Sequence, residues 1–321
     1  MVRIGYTIMG EQSAPKALVA DAIGAEAAGY DFVAASDHCF PWLEEQGHSP
    51  YVWSVLGAVA HATSRIGLMT YVTCPTMRYH PAVVAQKAAT IQILSDGRFL
   101  LGLGAGEQLN EHIVGIGWPP VDVRHEMLVD AVEIIRPLLA GEVVDYEGRH
   151  LDARHAKVWD VPDEPPPIGI AVSGAKSCAL AGEHADAMIA VAPDASLGDR
   201  FDTAGGRGKR RIGQVGLCYD TDEGRARKRA REQFRWFTGG WPVMAELPNP
   251  RSFAAASEPV TEDQVAEQVP CGPDVDRHVD AFKKFVDAGF TDVAVVQIGG
   301  DTQTEFLEWS ERELLPRLRE L

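Results

Sequence analysis

Cysteine is scarce in this chain, and its spacing carries no pattern. The five cysteines among 321 residues (Cys39, Cys74, Cys178, Cys218 and Cys271) are odd in number and include no Cys-x-x-Cys pair. This argues against a disulfide framework or a zinc ribbon, and reduced thiols are expected. Positive charge is also short. Thirty Lys and Arg face 46 Asp and Glu, a formal net charge of −16, which argues against nucleic acid or an anionic membrane as a partner. Long apolar runs are missing too, since Gly, Thr, Asp or Arg breaks each one well before the roughly 20 residues a membrane span requires. Met1-Val2-Arg3-Ile4-Gly5 leads straight into a strand-like run without a secretory pattern, so a cytoplasmic protein is expected. The ten histidines show neither a His-Glu-x-x-His motif nor a three-ligand spacing, and no metal site is expected.

What the sequence does contain is alternation. Short apolar runs at Arg3–Ile8, Phe32–Ala35, Ile66–Val72, Phe99–Leu103, Ile168–Val172, Met188–Ala192, Ile212–Tyr219 and Asp292–Ile298 read as strands buried on both faces. Between them, Pro15–Ala28, Ala82–Leu94, Asp122–Leu139 and Asp274–Ala288 place apolar residues at three- and four-residue spacing, the period of a helix. Eight such units predict an α/β fold of the (β/α)8 TIM-barrel class. A doubly wound sheet is the rival, but Ile8-Met9-Gly10-Glu11-Gln12 after the first strand is not a nucleotide fingerprint. Two stretches interrupt the rhythm: 141–167, with a hairpin-like segment and then four prolines, and a Pro-, Ala- and Ser-rich stretch at 239–272 in the position of a lid. Neither is long enough for a separate domain, so residues 1–321 are read as one barrel domain with two insertions.

A barrel assembles its active site at the C-terminal ends of its strands. Polar and aromatic residues cluster at those positions here. Glu11 follows the first strand; Asp37, His38 and Trp42 the second; Thr70 to Pro75 end the third; Glu107 and Asn110 follow the fourth; Ser173-Gly174-Ala175 follow the fifth. Each has a plainer reading beside the functional one. Asp37 next to His38 fits a structural pair whose carboxylate fixes the imidazole tautomer. Trp42 fits simple burial, and Glu107 fits a carboxylate favoured by a helix N-terminus. Gly102 to Gly106 is a poor Rossmann fingerprint because the third glycine is misplaced, but it suits close backbone approach to a flat or anionic ligand. The basic run Gly205 to Arg211 falls before the seventh strand, on the opposite face, and reads as a solvated turn.

With these residues in place, a resemblance emerges. The combination of Glu11-Gln12 with Ala14-Pro15, Ser36-Asp37-His38 with Pro41-Trp42, Pro75-Thr76 with Arg78-Tyr79, Gly104 with Gly106-Glu107, Asn110-Glu111, and Leu314 to Leu318 resembles the luciferase-like flavin and deazaflavin oxidoreductases. Within them it is similar to the coenzyme F420-dependent enzymes, F420-dependent glucose-6-phosphate dehydrogenase among them. The match is poor between Asp194 and Gly272.

The resemblance implies coenzyme F420 in the barrel mouth, with its ring near Asp37, His38 and a Tyr71–Val72 peptide that is often cis in such folds. It implies that Gly106 and Asn110 belong to the same cofactor site and that Ser173, Gly174 and Ala175 hold the tail phosphate. It further implies hydride transfer between a substrate carbon and C5 of the deazaflavin. His38 would then be the base, Trp42 would steady developing charge, Glu107 would donate to or hold the ring nitrogen, and Glu11 would assist from the substrate side. Relatives that oxidise sugar phosphates grip the phosphate with lysines where this chain has Ala192-Pro193-Asp194-Ala195 and Phe253-Ala254-Ala255-Ala256. A phosphate dianion would be repelled there, so a neutral alcohol and carbonyl pair is expected rather than glucose 6-phosphate. The alternatives are an FMN-dependent monooxygenase of the same fold and a non-catalytic coenzyme-binding barrel. Relatives pair through their early helices, which makes a homodimer the expected assembly.

Overall fold

Strands whose side chains are apolar on both faces of the pleat can be satisfied only between an inner and an outer layer of packing. In the computed structural model, which describes residues 2–321, they are placed in this way. The chain runs β1 (Arg3–Ile8), β2 (Phe32–Ala35), β3 (Gly67–Thr70), β4 (Phe99–Leu103), a small hairpin of β5 (Val144–Glu147) and β6 (Asp152–Ala156), then β7 (Ile168–Ala171), β8 (Ala187–Ala190), β9 (Arg210–Leu217) and β10 (Asp292–Gln297). All but the hairpin close into one parallel barrel, in the order β1-β10-β9-β8-β7-β4-β3-β2. The (β/α)8 expectation is met.

Alternate residues of each strand divide the core in two. Phe32, Ala34, Met69, Leu100, Ala187, Ile189, Ile212 and Ala294 fill the barrel interior. Their neighbours, among them Val33, Leu68, Leu101, Ile170, Met188 and Val293, face outward against helical residues such as Leu18, Val84, Ile134 and Phe282. The helices Pro15–Ala28 and Pro81–Leu94 both start on a proline, whose missing N–H costs nothing in a first turn. Asp274 caps the helix Val275–Asp287 by accepting from the Asp276 N–H.

Strand ends differ from the sequence-based bounds where local chemistry intervenes. β3 stops at Thr70 rather than Val72, ahead of the cis peptide between Tyr71 and Val72. β8 stops at Ala190, short of the Pro193 turn. β9 begins at Arg210, because Arg210 is anchored on Asp292 at 2.6 Å and Arg211 on Asp202 at 2.8 Å. Those two arginines are thus strand residues with carboxylate partners, not part of a solvated turn.

The stretch after β9 folds into the helices Glu223–Phe234, Trp241–Met244, Pro250–Ser257 and Glu262–Gln268. These helices, termed the lid below, have a core of their own and reach further back than the lid expected at 239–272. Phe234, Trp236, Met244, Phe253 and Val265 pack onto Trp42, Leu43 and Leu109 from the loops after β2 and β4. Among the described residues no helix is long and apolar enough to cross a membrane.

Candidate active site

Barrel closure brings the loops after β1, β2 and β4 to one point, and His38 sits there. Its Nδ1 lies 3.0 Å from Glu11 Oε1 and its Nε2 lies 3.0 Å from Glu107 Oε1. The imidazole is thus held between two carboxylates, each oriented by a further donor. Ser36 Oγ donates to Glu11 Oε2 at 2.6 Å, and Asn110 Nδ2 donates to Glu107 Oε1 at 2.8 Å. Asn110 Oδ1 in turn accepts from the N–H groups of Cys39 and Phe40, which fixes the chain around His38.

The electrostatics follow from burial and charge. Burial alone would push the His38 imidazole down, but the fields of Glu11 and Glu107, with the Glu107 hydrogen bond, outweigh it and lift the group to about 9 despite opposition from Arg78. For Glu107, burial pushes up and the hydrogen bond and charge of His38 pull down; the net direction is down. The arrangement can hold a proton on the imidazole near neutral pH or take one onto it with both carboxylates sharing the positive charge.

Asp37 plays a different part from its neighbour. It is buried and turned away from the imidazole, and both carboxylate oxygens are taken. Trp53 Nε1 (3.0 Å) and Thr73 Oγ1 (2.8 Å) donate to Oδ2, while Arg78 Nη2 (3.1 Å) and the Tyr79 hydroxyl (3.2 Å) donate to Oδ1. Arg78 also donates to the Asp37 carbonyl at 2.6 Å, and its own backbone N–H donates to Glu111 Oε2. The carboxylate that orients the imidazole is therefore Glu11, with Glu107 opposite, and Asp37 anchors the loop beneath. Spacing could not single out Glu11, because its closeness to His38 arises only when β1 and β2 pair.

Trp42 forms the wall beside His38, with ring centroids 4.7 Å apart. The lid completes it. Trp236 stacks on Trp42 at 4.2 Å and 9°, and Phe253 meets it edge-on at 5.1 Å. Gln46, not singled out in the sequence, holds this corner: its Oε1 accepts from the N–H groups of Trp42 and Leu43, and its Nε2 donates to the lid carbonyl of Gln233.

The site fits a flat, phosphate-bearing cofactor on three counts. Tyr71 and Val72 cap the apolar barrel interior and offer an apolar floor, and the Tyr71 hydroxyl is occupied by the Ala190 carbonyl at 2.9 Å. Gly106 holds φ 80°, and a Cβ there would come within 2.7 Å of Cys74 Sγ, so only glycine lets this loop pass so close. At the far side, Ser177 Oγ accepts from the N–H groups of Ser173 and Gly174, shaping the turn into the helix Ala175–His184. The space at Gly174 is open, and the first N–H groups of a helix have no intrahelical acceptor, which suits an anion.

Comparison with known proteins accords with this geometry. The family model for luciferase-like monooxygenases matches residues 2–292. The chain is 34% identical, over 99% of its length and 98% of the relative's, to an F420-dependent glucose-6-phosphate dehydrogenase of Beutenbergia cavernae. It is 36% identical, over 98% and 88%, to the F420-dependent hydroxymycolic acid dehydrogenase of Mycobacterium tuberculosis. Among solved structures it is similar to an F420-dependent secondary alcohol dehydrogenase in complex with an F420-acetone adduct, with a TM-score of 0.89 and 28% identity over 99% of both chains.

Proposed function

Since the chain belongs to the luciferase-like monooxygenase family, we propose that it works as a coenzyme F420-dependent oxidoreductase acting on an uncharged alcohol and its carbonyl partner. When bound, the deazaflavin supplies a hydride acceptor or donor at its C5 carbon. Tyr71, Val72 and Gly106 would border its ring, and Ser173, Gly174 and Ala175 its phosphate. The chain's own residues handle the proton. In oxidation, neutral His38, its Nδ1–H directed at Glu11 and the Phe40 carbonyl, accepts the hydroxyl proton at Nε2, and Glu11 and Glu107 stabilise the imidazolium. In carbonyl reduction the imidazolium returns that proton. Because His38 is lifted to about 9, the resting site is charged for the reductive direction near neutral pH, and oxidation draws on the fraction of sites whose imidazole has lost its proton.

The observation that carries the substrate class is the aromatic wall of Trp42, Trp236 and Phe253 beside an imidazole flanked by two carboxylates. Such a pocket favours an apolar carbon skeleton and repels a phosphate dianion. Asp194 adds to the repulsion instead of offering a cation, since its side chain is a cap that accepts from the Ser196 N–H at 2.9 Å. A homodimer belongs to the same reading, supported by exposed Val83, Ile93 and Leu94 on the helix Pro81–Leu94.

The test is a titration with oxidised F420 and separately with FMN, followed by tryptophan fluorescence, and then a screen of secondary alcohols, ketones and glucose 6-phosphate by deazaflavin absorbance. Tight F420 binding with turnover of neutral alcohols or ketones is expected. Preference for FMN would overturn the cofactor assignment, and turnover of glucose 6-phosphate alone would overturn the substrate class.

A further inference from the structure

Glu107 is held locally by Asn110 of the helix it opens, but that helix itself leans on other parts of the molecule. It has only four residues, Gln108–Glu111, and is too short to be stable alone. The residues on either side of Glu107 are tied elsewhere in the chain. The Gly106 carbonyl accepts from Arg124 Nη1 at 3.3 Å, and the Gln108 N–H donates to the carbonyl of Ala245 in the lid at 3.0 Å. The next lid residue, Glu246, closes the circle. Its Oε1 accepts from Arg124 Nη2 at 2.5 Å and its Oε2 accepts from Trp118 Nε1 at 2.9 Å. Arg124, only 2% exposed, lies over the Trp118 ring with 4.1 Å from its guanidinium carbon to the centroid.

We propose that Glu246 is a positioning residue: clamped by Arg124 and Trp118, it fixes the lid so that the lid holds the Glu107 loop against His38. The inference rests on the reading of Glu107 and His38 as the working pair. Glu246 touches neither. It acts through the Ala245 carbonyl, which supplies the acceptor that the first N–H of a helix otherwise lacks, and through Arg124, which spans lid and loop at once. Opening the lid withdraws the Ala245 carbonyl from Gln108 and the Glu246 carboxylate from Arg124, so Glu107 is fully placed only when the lid is down.

The groups acting on His38 are Glu11 from the loop after β1, Glu107 from the loop after β4 and Arg78 from the loop after β3. Loosening the clamp should act chiefly on the Glu107 share, with a smaller change in that of Arg78, whose backbone N–H donates to Glu111 on the same short helix. The experiment is an NMR titration of the His38 ring in the cofactor-free protein, for wild type, Glu246→Ala, Glu246→Gln, Glu107→Gln and the double variant Glu246→Ala/Glu107→Gln. Glu246→Ala is expected to lower the His38 midpoint by about one pH unit, the scale of one displaced charge partner. Glu246→Gln, whose amide oxygen still accepts from Arg124, should stay nearer wild type. In the Glu107→Gln background, Glu246→Ala should add little. Arg124→Lys, which keeps the charge but loses the fork, should reproduce the Glu246→Ala shift. A wild-type midpoint in Glu246→Ala, or an undiminished shift in the absence of the Glu107 charge, overturns the proposal. Hydride transfer measured separately tests the function: a clamp effect in the titration of a protein that turns over no alcohol would leave the clamp standing and remove the catalytic reading.

Discussion

Nε2 of His38 and Oε1 of Glu107 lie 3.0 Å apart, with Glu11 closing on the other ring nitrogen. On the proposed function, the pair would couple catalysis to pH in a definite sense. With the imidazole lifted to about 9, alcohol oxidation needs the neutral ring, so its rate should climb with pH up to about 9. Carbonyl reduction needs the imidazolium, so its rate should hold at lower pH and decline through the same midpoint. Single-turnover rates in both directions across pH 6 to 10 (about the range in which the group titrates) check this, and parallel profiles would remove His38 from proton transfer.

His38→Ala should lower turnover by about 10²- to 10⁴-fold, the usual worth of a positioned acid or base. F420 affinity should stay within about tenfold of wild type. Kinetics and a binding titration on the same preparation separate the two effects.

The His38 shift also has a sign for stability. The folded imidazole holds its proton more tightly than the unfolded chain does, so its ionic contribution is complete below the ordinary histidine value, about 6.5, and is lost as pH rises through about 9. Thermal unfolding of wild type and His38→Gln should therefore converge as the pH is raised. A constant difference across that window would contradict the assignment.

Asp37→Ala strands the buried donors of Trp53, Thr73 and Tyr79 and leaves Arg78 without one of its two carboxylates. A loss of about 3–5 kcal/mol is expected, as for the breaking of a buried pair. Denaturant unfolding measures it, and a loss confined to cofactor affinity would show that Asp37 is a ligand first and an anchor second.

Ser177→Ala removes the acceptor that shapes the Ser173–Gly174 turn. At about 1 kcal/mol for such a bond, F420 binding should weaken roughly fivefold with kcat unchanged. Calorimetry on the variant gives the answer directly.

Asp194→Lys should not create glucose 6-phosphate activity, because the aromatic wall remains, and losing the cap should cost about 1 kcal/mol. Strong sugar-phosphate turnover in that variant would mean that charge at position 194 alone had been excluding the phosphate.

The barrel was legible because its strands are buried on both faces, and that burial writes itself into continuous apolar runs such as Phe99 to Leu103. His38, Trp42 and Glu107 stood out as candidates for a related reason: a polar or aromatic residue in the loop after such a run falls at the C-terminal end of a barrel, where sites are built. The partnerships were not legible. Gln46 reaches Gln233 across 187 residues and Arg124 reaches Glu246 across 122, and local spacing cannot specify which loops a closed barrel sets side by side. Glu11 was visible as a candidate but not as the carboxylate facing His38 Nδ1, since Asp37, adjacent in sequence, looked the nearer partner. Its side chain instead meets Arg78 and Tyr79, about forty residues further along the chain.

The stack of Trp42 on Trp236, 4.2 Å apart and 9° from parallel, joins the barrel to the lid through two indole chromophores. Indoles that close share one environment, so separating them should change the ultraviolet circular dichroism and the fluorescence of both. The signal of the stacked pair lasts only while the two rings face each other, and the enzyme therefore contains an unlabelled optical reporter of whether its mouth is covered.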